Sequence, residues 1–258
     1  MPSCSTAKNP RGVTITFTEE DHKYSSVIDG KDVTYISGTT FISRFFPPFD
    51  PTGCITRACA RKRGLTVESL RQQWREKADN SCRYGTKIHE CCEDTLLERP
   101  LRNSPSNSKE EYAIKNAVQI ARKVHERSEI VGVEKIIFDE RLKIAGTIDL
   151  LIRAKKDNRL WICDWKTNEK IETENKYNKF GFDPISHVPA INFHEYGMQL
   201  NLYEYLLKCA GYCDLDESVG KVLFHITEKG VKSYPLPDYQ KEIKDMISVY
   251  EKGLEDAN

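Results

Sequence analysis

GTIDLLIRAKKDNRLWICDWKT, residues 146–167, holds two apolar runs, each interrupted by an aspartate. Leu142 to Arg153 and Leu160 to Trp165 are rich in Ile, Leu and Trp, and the polar cluster Lys155, Lys156, Asp157, Asn158 separates them. Apolar runs on either side of a short polar break predict a β-hairpin. A four-residue loop over 155–158 sets Asp149 opposite Asp164. Opposed side chains in an antiparallel ladder have Cβ atoms roughly 4.5–5.5 Å apart, and like charges held there repel. A divalent cation would offset that repulsion. The two-residue period of a strand puts Lys166 on the face of Asp164, which gives two acids and a lysine in one place. The competing reading puts Asp149 at a strand end and makes Asp164 and Lys166 an ordinary surface pair. A loop of three or five residues would also shift the register.

The chain around the hairpin has 258 residues, enough for one large domain or two small ones. Its 39% hydrophobic and 30% charged content is that of a globular protein without membrane spans, and no apolar run approaches the length of a transmembrane helix. Formal net charge is zero, so any surface for a polyanion must be local. Nine cysteines without a small-domain framework, and a start lacking an apolar signal core, predict reduced thiols inside a cell. Cytoplasm or nucleus of a cell or virus-infected host is the expected compartment, with a mitochondrial location as the variant a weak transit-peptide reading of the N-terminus allows. Residues 1–12, MPSCSTAKNPRG, are expected to be a disordered tail, and 13–258 a single domain with an N-terminal β-hairpin and helical extension before a core at about 80–230.

From Val13 to about Ile42 the sequence alternates like short strands, with a turn at Asp29-Gly30. Helices are predicted from about Thr66 through Glu98, from about Lys109 to Arg127 and from about His194 to Ala210, the last ended by Gly211. Strands are predicted over Val133 to Glu140, in the hairpin and at KVLFHI. An irregular stretch spans Lys170 to Asn192, and a helix closes the chain.

In the first long helix, Gly85, His89 and Glu93 fall at four-residue spacing on one face. A histidine there can ligate a metal or simply fill an interface. In the third, Met198, Leu202, Tyr205, Leu206 and Cys209 form an apolar stripe. Gln199 and Tyr203 stack beside it, placed either to contact a phosphate or base or to serve as a boundary pair.

Read in order, these residues spell GTxxHxxxE, GxxD, DxK and QxxxY, and the set resembles the RecB-type branch of the PD-(D/E)xK nuclease superfamily. DWKTNEK, Asp164 to Lys170, is similar to the third motif of mitochondrial genome maintenance exonucleases and their phage and viral relatives. ISGTTFISRFF, Ile36 to Phe46, is similar to a serine/threonine segment near their N-terminus. The resemblance implies an α/β (α+β) restriction-endonuclease-like core, a mixed central β-sheet flanked by helices. It implies a metal-dependent DNA nuclease, an exonuclease in the first instance, serving replication, repair or recombination. His89, Asp149 and Asp164, with the Trp165 carbonyl, would bind Mg²⁺ or Mn²⁺. Lys166 would position the attacking water and help deprotonate it, so Asp149, Asp164 and Lys166 form the catalytic set. Gln199 and Tyr203 would steady the substrate strand and the surroundings of Lys166, and Thr86 of the GTxxH motif would join them in contacting nucleic acid.

Some members of that branch hold an iron–sulfur cluster through one cysteine before the core and three after the QxxxY helix. Only Cys209 and Cys213 follow Gln199, so no cluster is expected, and the adjacent Cys91 and Cys92 are expected to pack. Thr39 and Thr40, at a predicted helix start, would bind a phosphate or cap the helix. Arg57, Arg61, Lys62 and Arg63 form the densest basic patch and would line a nucleic-acid path or a solvated face. The partners implied are single- or double-stranded DNA and a recombination or replication protein, with no membrane. Two other readings are a metal-dependent RNA endonuclease of the cap-snatching type and a non-catalytic nucleic-acid-binding subunit. The GTxxH and QxxxY motifs favour DNA over RNA, and the retained acids and lysine favour catalysis.

Overall fold

The computed structural model describes residues 4–48 and 53–255. The first three residues of the expected tail and the last three of the expected domain lie outside that range. Strands β1 (Cys4–Lys8), β2 (Thr14–Thr18), β3 (Lys23–Ile28) and β4 (Lys31–Ser37) form an antiparallel meander. Asp29 and Gly30 make the β3–β4 turn with φ of 51° and 74°, the left-handed pair that a two-residue hairpin loop needs.

Strand β1 lies within the stretch expected to be a tail, over Cys4–Lys8. CSTAK pairs with β2 from Cys4↔Thr18 to Lys8↔Thr14. Its polar, exposed composition hides it from a hydrophobic pattern and suits a sheet edge. Arg11 then pins the following turn through Asp139 at 3.1 Å and Glu140 at 2.8 Å.

Helices α1 (Gly38–Ser43), α2 (Cys54–Lys62), α3 (Val67–Leu96) and α4 (Ser108–Arg127) follow. Thr66 caps α3 by accepting from the Ser69 N–H, and Asn107 caps α4 by accepting from the Glu110 N–H. A Lys87–Glu110 pair at 2.7 Å ties the two helices together. Next come β5 (Ser128–Asp139), β6 (Ile144–Ala154), β7 (Leu160–Lys166), α5 (Asn192–Cys209), β8 (Val219–Thr227), β9 (Gly230–Pro235) and α6 (Gln240–Glu255). Strand β9, GVKSYP, carries no clean alternation and was not predicted.

The result is a mixed α/β fold, a central mixed sheet flanked by helices. The order is β1-β2-β3-β4-β6-β7-β8-β9, with β5 also pairing β6. The β4–β6 and β7–β8 contacts are parallel and the others antiparallel. Along one edge β6 follows β5. Its other edge is shared: β4 takes Ile144 and Ala145, and β7 takes Leu150 to Arg153. Between them Gly146 to Asp149 have no strand partner on that edge, which opens a window in the sheet.

Two apolar clusters sandwich the sheet. One joins Phe41, Met198, Leu202, Leu206, Ile243 and Met246 of α1, α5 and α6 to Ile144, Ile148, Leu151 and Ile162. The other joins Ile88, Cys91, Cys92, Ala117 and Ala121 of α3 and α4 to Leu150, Ile152, Cys163 and Trp165. Ile148 and Leu150 thus fall in different clusters, although residues two apart on a regular strand share a face. The alternation of β6 changes phase at Asp149.

Helix α5 is more enclosed than the predicted one-sided stripe. Beside Met198, Leu202 and Leu206 it buries Leu200, Asn201, Tyr203, Glu204 and Leu207, because the sheet, α1 and α6 surround it. Its buried Glu204 is paired with Lys221 and Lys208, as a carboxylate out of water must be. Among the described residues no helix is long and apolar enough to cross a membrane.

Candidate active site

The β6–β7 hairpin has the expected register, Leu150↔Cys163 through Arg153↔Leu160. Its ladder nevertheless stops one residue short of the acids, so Asp149 and Asp164 do not pair across it. Here β7 leaves β6 and runs with β8, Asp164↔Leu223 through Lys166↔His225. At the fork the Asp149 side chain replaces the missing ladder bond, its Oδ2 accepting from the Trp165 N–H at 2.9 Å. Mutual repulsion of two carboxylates and the phase change at Asp149 both favour this splaying.

On one side of the fork, Asp149 Oδ2 lies 3.5 Å from His89 Nδ1 of α3. Helix α3 comes close because Gly85, one turn earlier, has no side chain; a Cβ there would sit 3.2 Å from Thr167 Oγ1. A third group joins them. His89, Glu134 and Asp149 each offer a ligand atom, all within 4.8 Å of one another. Sequence reasoning missed Glu134, although counting back from the β5–β6 turn, as for β6–β7, sets it opposite Asp149, between Lys135↔Ile148 and Val133↔Leu150. Its φ of 47° is unusual for a residue with a side chain. Glu134 is exposed, and its carboxyl is pushed up from the ordinary value, first by partial desolvation and then by Asp149, Glu93 and Asp164. Glu93 itself turns away to Arg102 and Arg99.

On the other side, Asp164 is 4% exposed and meets Lys166. Lys166 Nζ donates to Asp164 Oδ1 at 2.9 Å and lies 2.7 Å from Oδ2, which takes no hydrogen bond of its own. Burial raises the Asp164 carboxyl against the opposing pull of Lys166, and Asp149 pushes it further. Burial alone would lower the Lys166 ammonium, but Asp164 and Asp149 outweigh it and hold the group above the ordinary lysine value. The same Nζ sits 4.6 Å from the ring centre of Tyr196 on α5, a contact that no spacing along the chain signals.

One and two turns along α5 stand Gln199 and Tyr203. Gln199 Nε2 donates to the Tyr203 hydroxyl at 2.9 Å. Tyr203 is 4% exposed, so its ring is enclosed by the fold and Gln199 is the more accessible of the pair. Its ring fills the window in β6: a Cβ on Gly146 would lie 2.5 Å from it, and one on Gly38 2.8 Å. Only Gln199 of the pair keeps some solvent contact.

The cap of α1 is Ser37, whose Oγ accepts from the Thr40 N–H at 3.1 Å, so neither Thr39 nor Thr40 caps the helix. Both threonines are exposed and bonded to Ser37 Oγ. Thr86 is exposed on α3, and Arg57, Arg61, Lys62 and Arg63 are exposed on α2 and its C-cap. Cys91 and Cys92 are buried between α3 and α4, and burial raises both thiols.

A cation fits what is present. His89, Glu134 and Asp149 offer an imidazole and carboxylate oxygens under mutual repulsion, a donor set for Mg²⁺ or Mn²⁺, while Asp164, whose oxygens face Lys166, stands outside that group. The family model described as the PD-(D/E)XK nuclease superfamily matches residues 56–257. No curated protein matches the chain.

Proposed function

The chain belongs to the PD-(D/E)XK nuclease superfamily, which points to metal-dependent nuclease activity, and from that premise we propose a DNA exonuclease of the RecB-type branch, akin to the mitochondrial genome maintenance enzymes, working in replication, repair or recombination. The observation that carries the reading is the fork. Asp149, a member of the His89–Glu134 group, accepts the N–H of Trp165, the residue between Asp164 and Lys166, and so joins that group to the Asp164–Lys166 pair. The order GTxxH, GxxD, DWK, QxxxY around it supports the branch.

His89, Asp149, Asp164 and the Trp165 carbonyl would hold Mg²⁺ or Mn²⁺, with Glu134 as an added oxygen ligand; the imidazole favours Mn²⁺ in affinity. When bound, the cation polarises the scissile phosphate and offsets charge in the pentavalent transition state. Hydrolysis joins a water oxygen to phosphorus and breaks the phosphorus–oxygen bond to the leaving nucleoside. Lys166 would position the attacking water, help pass its proton to solvent and add positive charge beside the phosphate, and the leaving oxygen takes a proton from solvent. Tyr196 and Asp164 fix the direction of Lys166. Gln199, held by the enclosed Tyr203, steadies the substrate strand, and Thr86, Thr39, Thr40, Arg61 and Arg63 add surface contacts to its backbone.

The test is cleavage of end-labelled linear single-stranded and double-stranded DNA, circular DNA and RNA in Mg²⁺ and in Mn²⁺. Linear DNA cut from an end, with circles intact, is expected. Cutting of circles at the linear rate would overturn end-dependence. Preference for RNA would replace DNA by a cap-snatching type of chemistry, and no cleavage with either metal would overturn the enzyme.

A further inference from the structure

Between Lys166 and Gln199 runs a connection whose two ends are pinned together. Asn192 accepts from the Glu172 N–H at 2.8 Å and donates to the Lys170 carbonyl at 2.9 Å. Lys170 lies four residues past Lys166, no more than roughly 14 Å of chain. From this neck rises NKYNKFGF, residues 175–182. Tyr177 is 85% exposed, Phe182 49% and Phe180 38%, and Lys176 and Lys179 are exposed among them. Three exposed aromatic rings within six residues are not ordinary surface.

Nor are the rings loose. Asn175 closes the base of the segment, donating to the Lys179 carbonyl at 2.7 Å and accepting from the Lys179 N–H at 3.1 Å. Further backbone bonds run from Ala190 N to Lys179 O, from Gly181 N to Val188 O and from Phe182 N to Phe45 O. Gly181 is pressed against the body: a Cβ there would lie 2.9 Å from Ile185. Ile185 and Val188 fill the apolar positions beneath. The rings on either side of Gly181 are therefore directed outward by a rigid backbone.

We infer that residues 175–182 are a stacking platform that receives single-stranded nucleic acid and leads it to the fork. This deepens the proposed function and rests on it for the identity of the polymer. Every base has a π-face on which an aromatic ring can stack, and the interleaved ammonium groups of Lys176 and Lys179 match a phosphate backbone. Lys176 and Lys179 give the 175–182 run a charge of plus two, which Glu174 and Asp183 at its two ends offset. A duplex keeps its base faces stacked inside, so the platform selects an unpaired strand.

The experiment measures binding of fluorescent oligothymidine and of a blunt duplex to the full chain in EDTA, with 2-aminopurine in the single strand as a direct report of stacking. Tyr177→Ala should weaken single-strand binding roughly 5- to 150-fold if its ring is engaged, abolish its share of 2-aminopurine quenching and leave duplex binding unchanged. Tyr177→Phe should restore all three. Tyr177→Ala with Phe180→Ala and Phe182→Ala should lose more. Lys176→Gln with Lys179→Gln should reduce the slope of log affinity against log salt by about 0.7 per lost contact. Single-strand affinity and quenching unchanged in the triple variant would overturn the platform, as would equal losses for strand and duplex. So would ring-dependent binding to anionic vesicles with DNA binding unaffected. Because Tyr177 is almost wholly outside the fold, its single variant stays informative even if the triple variant unfolds. Ring-dependent binding by a chain that cuts nothing in Mg²⁺ or Mn²⁺ would leave the platform standing and sink the nuclease; cleavage with ring-independent binding would do the reverse.

Discussion

Asp149 Oδ2 accepts the Trp165 N–H at 2.9 Å where the strand ladder has already ended, at Leu150↔Cys163. One carboxylate thus serves both the backbone and the site, and substitutions should separate the two duties. Asp149→Asn keeps an oxygen for the N–H and should lose cleavage with little loss of stability. Asp149→Ala leaves that buried N–H unpaired and should cost about 1–3 kcal/mol as well. Urea melts beside a cleavage assay make the comparison; equal stability of the two variants would deny the backbone duty.

Divalent cation should stabilise the native chain by mass action, about 2.7 kcal/mol at a concentration 100-fold above the dissociation constant. The shift should shrink in His89→Ala and in Glu134→Gln and vanish in Asp164→Asn. Thermal melts with and without EDTA read it. Identical shifts in all four proteins would place the ion elsewhere.

Tyr196 faces the Lys166 ammonium at 4.6 Å. A cation–π contact of this kind is worth about 0.5–2 kcal/mol, so Tyr196→Leu should lower single-turnover cleavage roughly 2- to 30-fold. Tyr196→Phe retains the ring and should cut almost as wild type. Equal loss in both would point to the hydroxyl instead.

The raised carboxyl of Glu134 sets a direction for pH. An acid that holds its proton more tightly when folded contributes stability that is complete below its ordinary value near 4.5 and lost as pH rises through about 8. In EDTA the melting temperature should therefore fall from about pH 5 to about pH 9, and fall less in Glu134→Gln. Solvent contact limits the difference to about 1 kcal/mol, roughly 2–4 °C. Parallel curves for the two proteins would contradict it.

Gly146 has no room for a methyl group, whose carbon would come 2.5 Å from the Tyr203 ring. Gly146→Ala should cost about 1–3 kcal/mol and move the hydroxyl that holds Gln199, so cleavage should drop even where the chain stays folded. Denaturant melts and single-turnover rates check both parts.

What the sequence reveals and hides has physical causes. The hairpin register was countable because turn length and a two-residue period determine it. The splaying beyond Cys163 was not, because it depends on the phase change of β6 at Asp149 and on the repulsion of two acids that register alone would pair. His89 could be placed near the acids through the spacing of Gly85, His89 and Glu93 and the family motif, whereas Glu134 is one acid in an otherwise ordinary strand. Tyr203 passes for a boundary residue until Gly38 and Gly146 are seen to make space for its ring. Strand β1 is held by pairing alone, and α5 is enclosed on more sides than a single stripe can signal.

Among the described residues, the meander β1–β4 is paired as strand to the rest of the sheet at Ile36↔Ile144 and Ser37↔Ala145. On the ribosome, Ile36 emerges 108 residues before its partner Ile144, a wait of roughly 5–20 s at ordinary elongation rates. Throughout that interval the outer edge of β4 is open to any other nascent strand. Lys31, Asp32 and Thr34, exposed along β4, give that edge charge and polarity, which discourages intermolecular pairing. Residues idle in the finished fold are thus guards of its assembly.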